Sequence, residues 1–123
     1  MPQALITVVD DDPSVRRSLS SLLRSVGLDV QVFASAEEFV ASGDRAKTAC
    51  VILDLRMPGM GGLELQRLLA VSHPHLPVVF ITAHATDEEA RSRALKEGAS
   101  DYLTKPLRED VLLGAVQKAL KGK

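Results

Sequence analysis

Three carboxylates in a row, Asp10, Asp11 and Asp12, follow the largely apolar run Leu5-Ile6-Thr7-Val8-Val9. A fourth, Asp54, follows Cys50-Val51-Ile52-Leu53. Val78-Val79-Phe80-Ile81 runs into Thr82, and Asp101-Tyr102-Leu103-Thr104 runs into Lys105-Pro106. Each polar group thus closes a strand-like segment, which is where open α/β sheets gather their chemistry. Helix capping accounts for Asp12, next to Pro13, but does not require three consecutive acids. Crowded anions repel unless a cation neutralises them. Mg2+ suits Asp10 and Asp11, because it is hard, octahedral and commonly held by one or two carboxylates with water and phosphate oxygens.

Asp54 lies too far from a helix beginning near Leu63 to cap it. A carboxylate at this tip, beside an acidic pair, reads as a nucleophile toward phosphorus, the product being an acyl phosphate. Phosphoryl transfer has a loose, in-line transition state, so the protein need supply only position and charge. Mg2+ bridging Asp11, Asp54 and the incoming group would offset anion–anion repulsion. Lys105 offers a point charge for a phosphoryl oxygen, and a cis Lys105–Pro106 bond would aim its ammonium inward. The Thr82 hydroxyl is placed to bond a phosphoryl oxygen. The plain alternatives are a surface lysine and a strand threonine.

The elements that position these groups alternate five times between strand and helix. Strands are expected at Ala4–Val9, Asp29–Phe33, Ala49–Leu53, Val78–Thr82 and Ser100–Thr104. The first helix runs from about Pro13 to Val26, with Val15, Leu19, Leu22, Leu23 and Val26 at helical spacing and Gly27 as the stop. Ser35 caps the second, with Glu38 three residues on as in a capping box. Leu65, Leu68 and Leu69 mark the third. Thr86 or Asp87 opens the fourth and Gly98 closes it. The fifth carries Val111, Leu112, Ala115, Val116, Ala119 and Leu120. Strict alternation implies an α/β fold, a parallel sheet covered by helices on both faces. The more polar second and fifth strands belong nearer the edges. The fourth helix offers little beyond Ala90, Ala94 and Leu95, so its attachment should be weak.

At 123 residues the chain is long enough for one domain and one core. Its formal net charge of −1, with acids and bases interspersed, argues against a nucleic-acid-binding surface. Cys50 is the only cysteine and reads as a small buried hydrophobe. No segment is long and apolar enough to span a bilayer and no signal-peptide pattern is present, so a cytoplasmic location and no membrane contact are expected.

The ordered set Val8-Val9-Asp10-Asp11-Asp12, Asp54-Leu55-Arg56-Met57-Pro58-Gly59-Met60-Gly61-Gly62, Ile81-Thr82-Ala83-His84 and Lys96 to Pro106 resembles the receiver domains of two-component response regulators, over essentially the whole chain. The Asp-Leu-Arg-Met-Pro stretch and the threonine-small-histidine segment are similar to the FixJ-type receivers. That resemblance implies a flavodoxin-like (βα)5 three-layer sandwich with strand order 2-1-3-4-5. It implies that Asp54 takes a phosphoryl group from a sensor histidine kinase, without the chain being an enzyme. Asp11, Asp54 and the Arg56 backbone carbonyl would bind Mg2+, with Asp10 acting through water. Thr82 and Lys105 would contact the phosphoryl group, and Tyr102 would turn inward as Thr82 moves. Arg56 and His84, each two residues past a site residue, would tune the phosphoryl lifetime. The surface of the fourth helix, fifth strand and fifth helix, with Leu107 and Arg108, would be the readout and a route to a homodimer. Residues 1–123 would form the whole receiver, with the output domain absent: either a stand-alone receiver or one cut from a longer, transcriptional regulator.

Competing readings each miss a feature. A haloacid-dehalogenase-type phosphatase needs a second aspartate two residues after the nucleophile, where Arg56 stands. A pseudo-receiver would lack the nucleophile or the acidic pair. A flavodoxin-type cofactor binder would meet three aspartates where it needs a phosphate loop.

Overall fold

The computed structural model describes residues 4–83 and 87–121. The strands are β1 (Leu5–Val9), β2 (Asp29–Phe33), β3 (Cys50–Asp54), β4 (Val78–Thr82) and β5 (Asp101–Thr104). The helices are α1 (Pro13–Ser25), α2 (Ala36–Ser42), α3 (Gly62–Ser72), α4 (Glu88–Lys96) and α5 (Glu109–Lys121). All strand pairs are parallel, in the order β2-β1-β3-β4-β5. The polar strands β2 and β5 take the edges, while β3 and β4 are buried along their whole length.

Alternating side chains feed two cores. On one face Ile6, Val8, Ile52 and Ile81 pack with Leu19 and Leu23 of α1 and with Leu112 and Val116 of α5. On the other, Val9, Val51, Leu53 and Phe80 pack with Phe39 of α2, Leu65 and Leu69 of α3, and Ala94 of α4. The chain reverses its direction of travel across the sheet between β1 and β3. The carboxyl ends of those two strands therefore border the crevice where such sheets hold ligands.

Local chemistry sets the helix starts. Asp12 Oδ1 accepts from the Ser14 amide at 2.9 Å, with Pro13 in the first turn. Ser35 Oγ accepts from the Glu38 amide at 3.1 Å, and Asp87 Oδ1 from the Ala90 amide at 3.0 Å. Thr86, the other expected start of α4, lies outside the described residues.

Several expectations are corrected. Asp54 is the last residue of β3, paired with Ile81, and does not merely follow the strand. Ala49 and Ser100 precede their strands. Val26 is the exposed C-cap of α1, and Val111 is exposed on α5. Both lie at the margin of an apolar stripe, which periodicity alone extends too far. A 3-10 turn, Asp44–Lys47, leads into β3. In α4 only Ala94 is fully buried, but polar links add to its attachment. Gln66 Nε2 of α3 donates to the Ala94 carbonyl at 2.9 Å, and Arg67 Nε reaches Glu97 Oε1 at 2.8 Å.

Candidate functional site

Parallel pairing of Val9 with Leu53 brings the ends of β1 and β3 level. Asp10 and Asp54 consequently stand side by side, with Asp11 completing the group. Ligand oxygens of Asp10, Asp11 and Asp54 all lie within 4.8 Å of one another. Asp10 is fully buried, Asp54 is 6% exposed and Asp11 faces solvent. The cluster is thus a pocket with one open side.

Asp10 is fixed on every polar atom. Its amide donates to the Phe33 carbonyl at 3.1 Å. Its Oδ1 accepts from the Asp12 amide at 2.9 Å, and its own carbonyl accepts from Arg16 Nη1 at 2.7 Å. Its Oδ2 accepts from Lys105 Nζ at 3.0 Å. The same ammonium lies 3.7 Å from Asp54 Oδ1. Lys105 arrives from the end of the edge strand β5. Its amide donates to the Thr82 carbonyl at 2.7 Å, which ties the chain after β5 to the tip of β4. The Lys105–Pro106 bond is cis, the isomer that the sequence left open. Thr82 itself is fully buried at that tip.

One ammonium faces three carboxylates. Burial, reinforced by the charges of Asp10 and Asp11, pushes the Asp54 carboxyl up to about 6 against the opposing pull of Lys105. Burial works against the Lys105 ammonium, but its hydrogen bond to Asp10 and the surrounding acids outweigh it, and its pKa rises. Surplus negative charge on hard oxygen donors, open on one side, is the donor set that a small divalent cation such as Mg2+ fits.

The loop between β3 and α3 is moulded by contacts on both flanks. A Cβ on Gly62 would fall 2.5 Å from the Asp54 carbonyl oxygen and 3.0 Å from Leu55 Cα, so only glycine fits against the strand end. Gly59 has φ +75, and a Cβ there would run into the Glu37 carboxylate. That carboxylate accepts from the Met60 amide at 2.9 Å, which lowers its pKa. On the other flank the Arg56 guanidinium pairs with Asp87 at the cap of α4. Beside this pair lies Tyr102, which is buried with its ring 6.2 Å from that of Phe80. The Tyr102 hydroxyl has no hydrogen-bond partner among the described residues. Burial and the charge of Asp87 push the phenol up, against smaller opposing effects of Arg56 and Thr82.

The structure therefore brings Asp10, Asp11, Asp54 and Lys105 together, with Thr82 and Tyr102 on the adjoining strands. His84 lies outside the described residues. Two participants carried no functional signal in the sequence. Asp87 reads only as a helix start, and Glu37 as one of several acids in a first helical turn. Their partners stand 31 and 23 residues away in the chain.

Three comparisons bear on this arrangement. The response regulator receiver domain family matches residues 6–117. Response regulator protein TodT of Pseudomonas putida is 46% identical over 118 residues, covering 96% of this chain and 52% of TodT. Transcriptional regulatory protein FixJ of Azorhizobium caulinodans is 40% identical over 121 residues, covering 98% of this chain and 57% of FixJ. The chain thus spans about half the length of the curated relatives it matches. Among solved structures, the crystal structure of FixJ-N superposes with a TM-score of 0.88 at 34% identity, covering 100% of this chain and 98% of that one.

Proposed function

This chain belongs to the response regulator receiver domain family of two-component signalling, and from that premise we propose that Asp54 is its phosphoacceptor. The observation that carries the proposal is the buried Asp54 carboxylate at the end of β3, within reach of Lys105 and grouped with Asp10 and Asp11. Asp54 has the right protonation state, since a carboxyl titrating at about 6 is mostly ionised at neutral pH.

In the proposed reaction a carboxylate oxygen of Asp54 attacks phosphorus in the phosphohistidine of a sensor kinase. An O–P bond forms, the N–P bond breaks, and the histidine leaves with a proton from solvent. Asp11, Asp54 and the Arg56 carbonyl would hold Mg2+ directly and Asp10 through water, and the ion would supply charge neutralisation between nucleophile and donor. Lys105 places its ammonium against one phosphoryl oxygen, and Thr82 turns its hydroxyl toward another. Asp10 acts indirectly, by anchoring Lys105. Arg56 and His84 set the phosphoryl lifetime by shielding the acyl phosphate from water.

The mark is read on the face formed by α4, β5 and α5. Thr82 leads toward α4, and Tyr102 lies near Thr82 and the head of that helix. Coupling between separate sites is typically about 1–3 kcal/mol, enough to bias an existing equilibrium. The output is homodimerisation through this face and control of a transcriptional output domain, without nucleic-acid contact by this segment.

The direct test is incubation with acetyl phosphate or beryllofluoride, with and without Mg2+, followed by intact mass and oligomeric state. Wild type should gain one phosphoryl group only with Mg2+, and Asp54→Asn none. Modification mapping to another residue would overturn the assignment.

A further inference from the structure

Among the described residues Asp87 joins two partners. Its Oδ1 accepts from the Ala90 amide at 3.0 Å and caps α4. Its Oδ2 pairs with the Arg56 guanidinium, two residues after Asp54 in the loop that follows β3. That loop and the head of α4 share one surface groove of about 390 Å3, lined by Leu55, Arg56, Asp87, Ala90 and Arg93 among others. The pair lies beside the buried Tyr102. One side chain thus joins the acceptor loop, the start of α4 and the neighbourhood of the aromatic ring.

We propose that Asp87 is a positioning residue that holds the Arg56 guanidinium at the head of α4, in competition with a phosphoryl group on Asp54. The competition rests on the acceptor role proposed for Asp54. Phosphorylation replaces one negative charge with roughly two, together with new acceptor oxygens. A guanidinium that turns to meet them leaves Asp87. Linkage makes the effect reciprocal: whatever Asp87 takes from phosphoryl binding, the phosphoryl group takes from the anchoring of α4. Because Arg56 is 55% exposed and Asp87 23% exposed, solvent screening limits the pair to roughly a two- to fivefold effect on either equilibrium.

Asn caps helices as well as Asp, so Asp87→Asn keeps the cap and removes the charged partner of Arg56. The probe is beryllofluoride with Mg2+, titrated by the fluorescence of Tyr102, the only tyrosine in a chain without tryptophan. Asp87→Asn should bind it roughly two- to fivefold more tightly than wild type. The gain should disappear in the Arg56→Ala background, since no guanidinium remains to be released. Asp87→Ser, which also caps, should change affinity in the same direction. In the absence of beryllofluoride, amide exchange across residues 88–96 should rise by a similar factor in Asp87→Asn and in Arg56→Ala, and no further in the double variant. Equal or weaker affinity in Asp87→Asn, or a gain that persists without Arg56, would overturn the competition while leaving the acceptor role standing. No uptake by wild type would overturn the acceptor role and the competition with it. Unchanged exchange in α4 in both single variants would overturn the anchoring.

Discussion

Replacing Asp54 by asparagine should make the metal-free domain more stable, although it removes the residue assigned the chemistry. Burial and two neighbouring acids raise the Asp54 carboxyl from 3.8 to about 6. An acid whose folded pKa is raised binds its proton more tightly in the folded state than in the unfolded state. The contribution of Asp54 to stability is therefore greatest below pH 4, falls as the pH rises from about 4 to about 6, and levels off above that. The shift of about two units corresponds to about 3 kcal/mol at most. Relaxation and water entry at the open side of the pocket reduce this to about 1–3 kcal/mol. Asparagine carries no charge to lose, so the variant should exceed wild type by that amount at pH 8 and by almost nothing at pH 4. For 123 residues an unfolding entropy of about 2.1 cal/mol/K per residue turns this into roughly 4–12 °C in Tm. Thermal unfolding followed by circular dichroism in EDTA, at pH 4 and pH 8, measures both differences. An Asp54→Asn protein no more stable at pH 8, or equally stabilised at both pH values, would refute the account of a repulsive, desolvated cluster.

The same cluster should respond to metal: Mg2+ at about a hundred times its Kd should raise wild-type stability by about 2.7 kcal/mol, and Asp54→Asn should gain clearly less in the same melts. Gly62→Ala should cost about 1–3 kcal/mol by urea unfolding, because its Cβ must displace the backbone of β3's end. Tyr102→Phe should be as stable as wild type or more so, since it deletes a buried hydroxyl that has no hydrogen-bond partner among the described residues. The absorbance titration of this sole tyrosine should move to lower pH in Asp87→Asn, because the Asp87 charge helps hold the phenol up. Arg56→Ala and His84→Ala should each change the decay rate of the phosphorylated protein, read by loss of the intact-mass adduct; unchanged decay in both would remove them as lifetime determinants.

The strands and their polar tips were legible because both are local patterns. An apolar run with a charge at its end states its burial and its rim within six residues, as Leu5 to Asp10 does. Parallel pairing then needs no further information to gather the tips, because consecutive crossovers place every carboxyl end on one side. The helix caps at Asp12 and Ser35 were legible for the same local reason. What escaped is the non-local pairing of charges. Among 16 acids and 15 bases, nothing in the order of residues selects Asp87 for Arg56 or Glu37 for the Met60 amide. These choices depend on how loops and helix ends fall after the core has packed. Val26 and Val111 fail in the opposite sense, since local periodicity includes them and packing leaves them outside.

This division has a mechanical consequence. Asp10, Asp54 and Thr82 ride on strand ends whose positions follow from a fully buried apolar core, so the geometry of these polar tips is as rigid as the fold. The loop after Asp54 and the start of α4 are joined by exposed charges, worth little individually in water. Of the two helices that flank that loop, α2 is further fixed by the buried Phe39, whereas α4 contributes only Ala94 to the core. A change of charge at Asp54 cannot move the strands without breaking the core. It can alter the pairing of Arg56 and Asp87 at small cost, and α4 has the least apolar burial with which to resist.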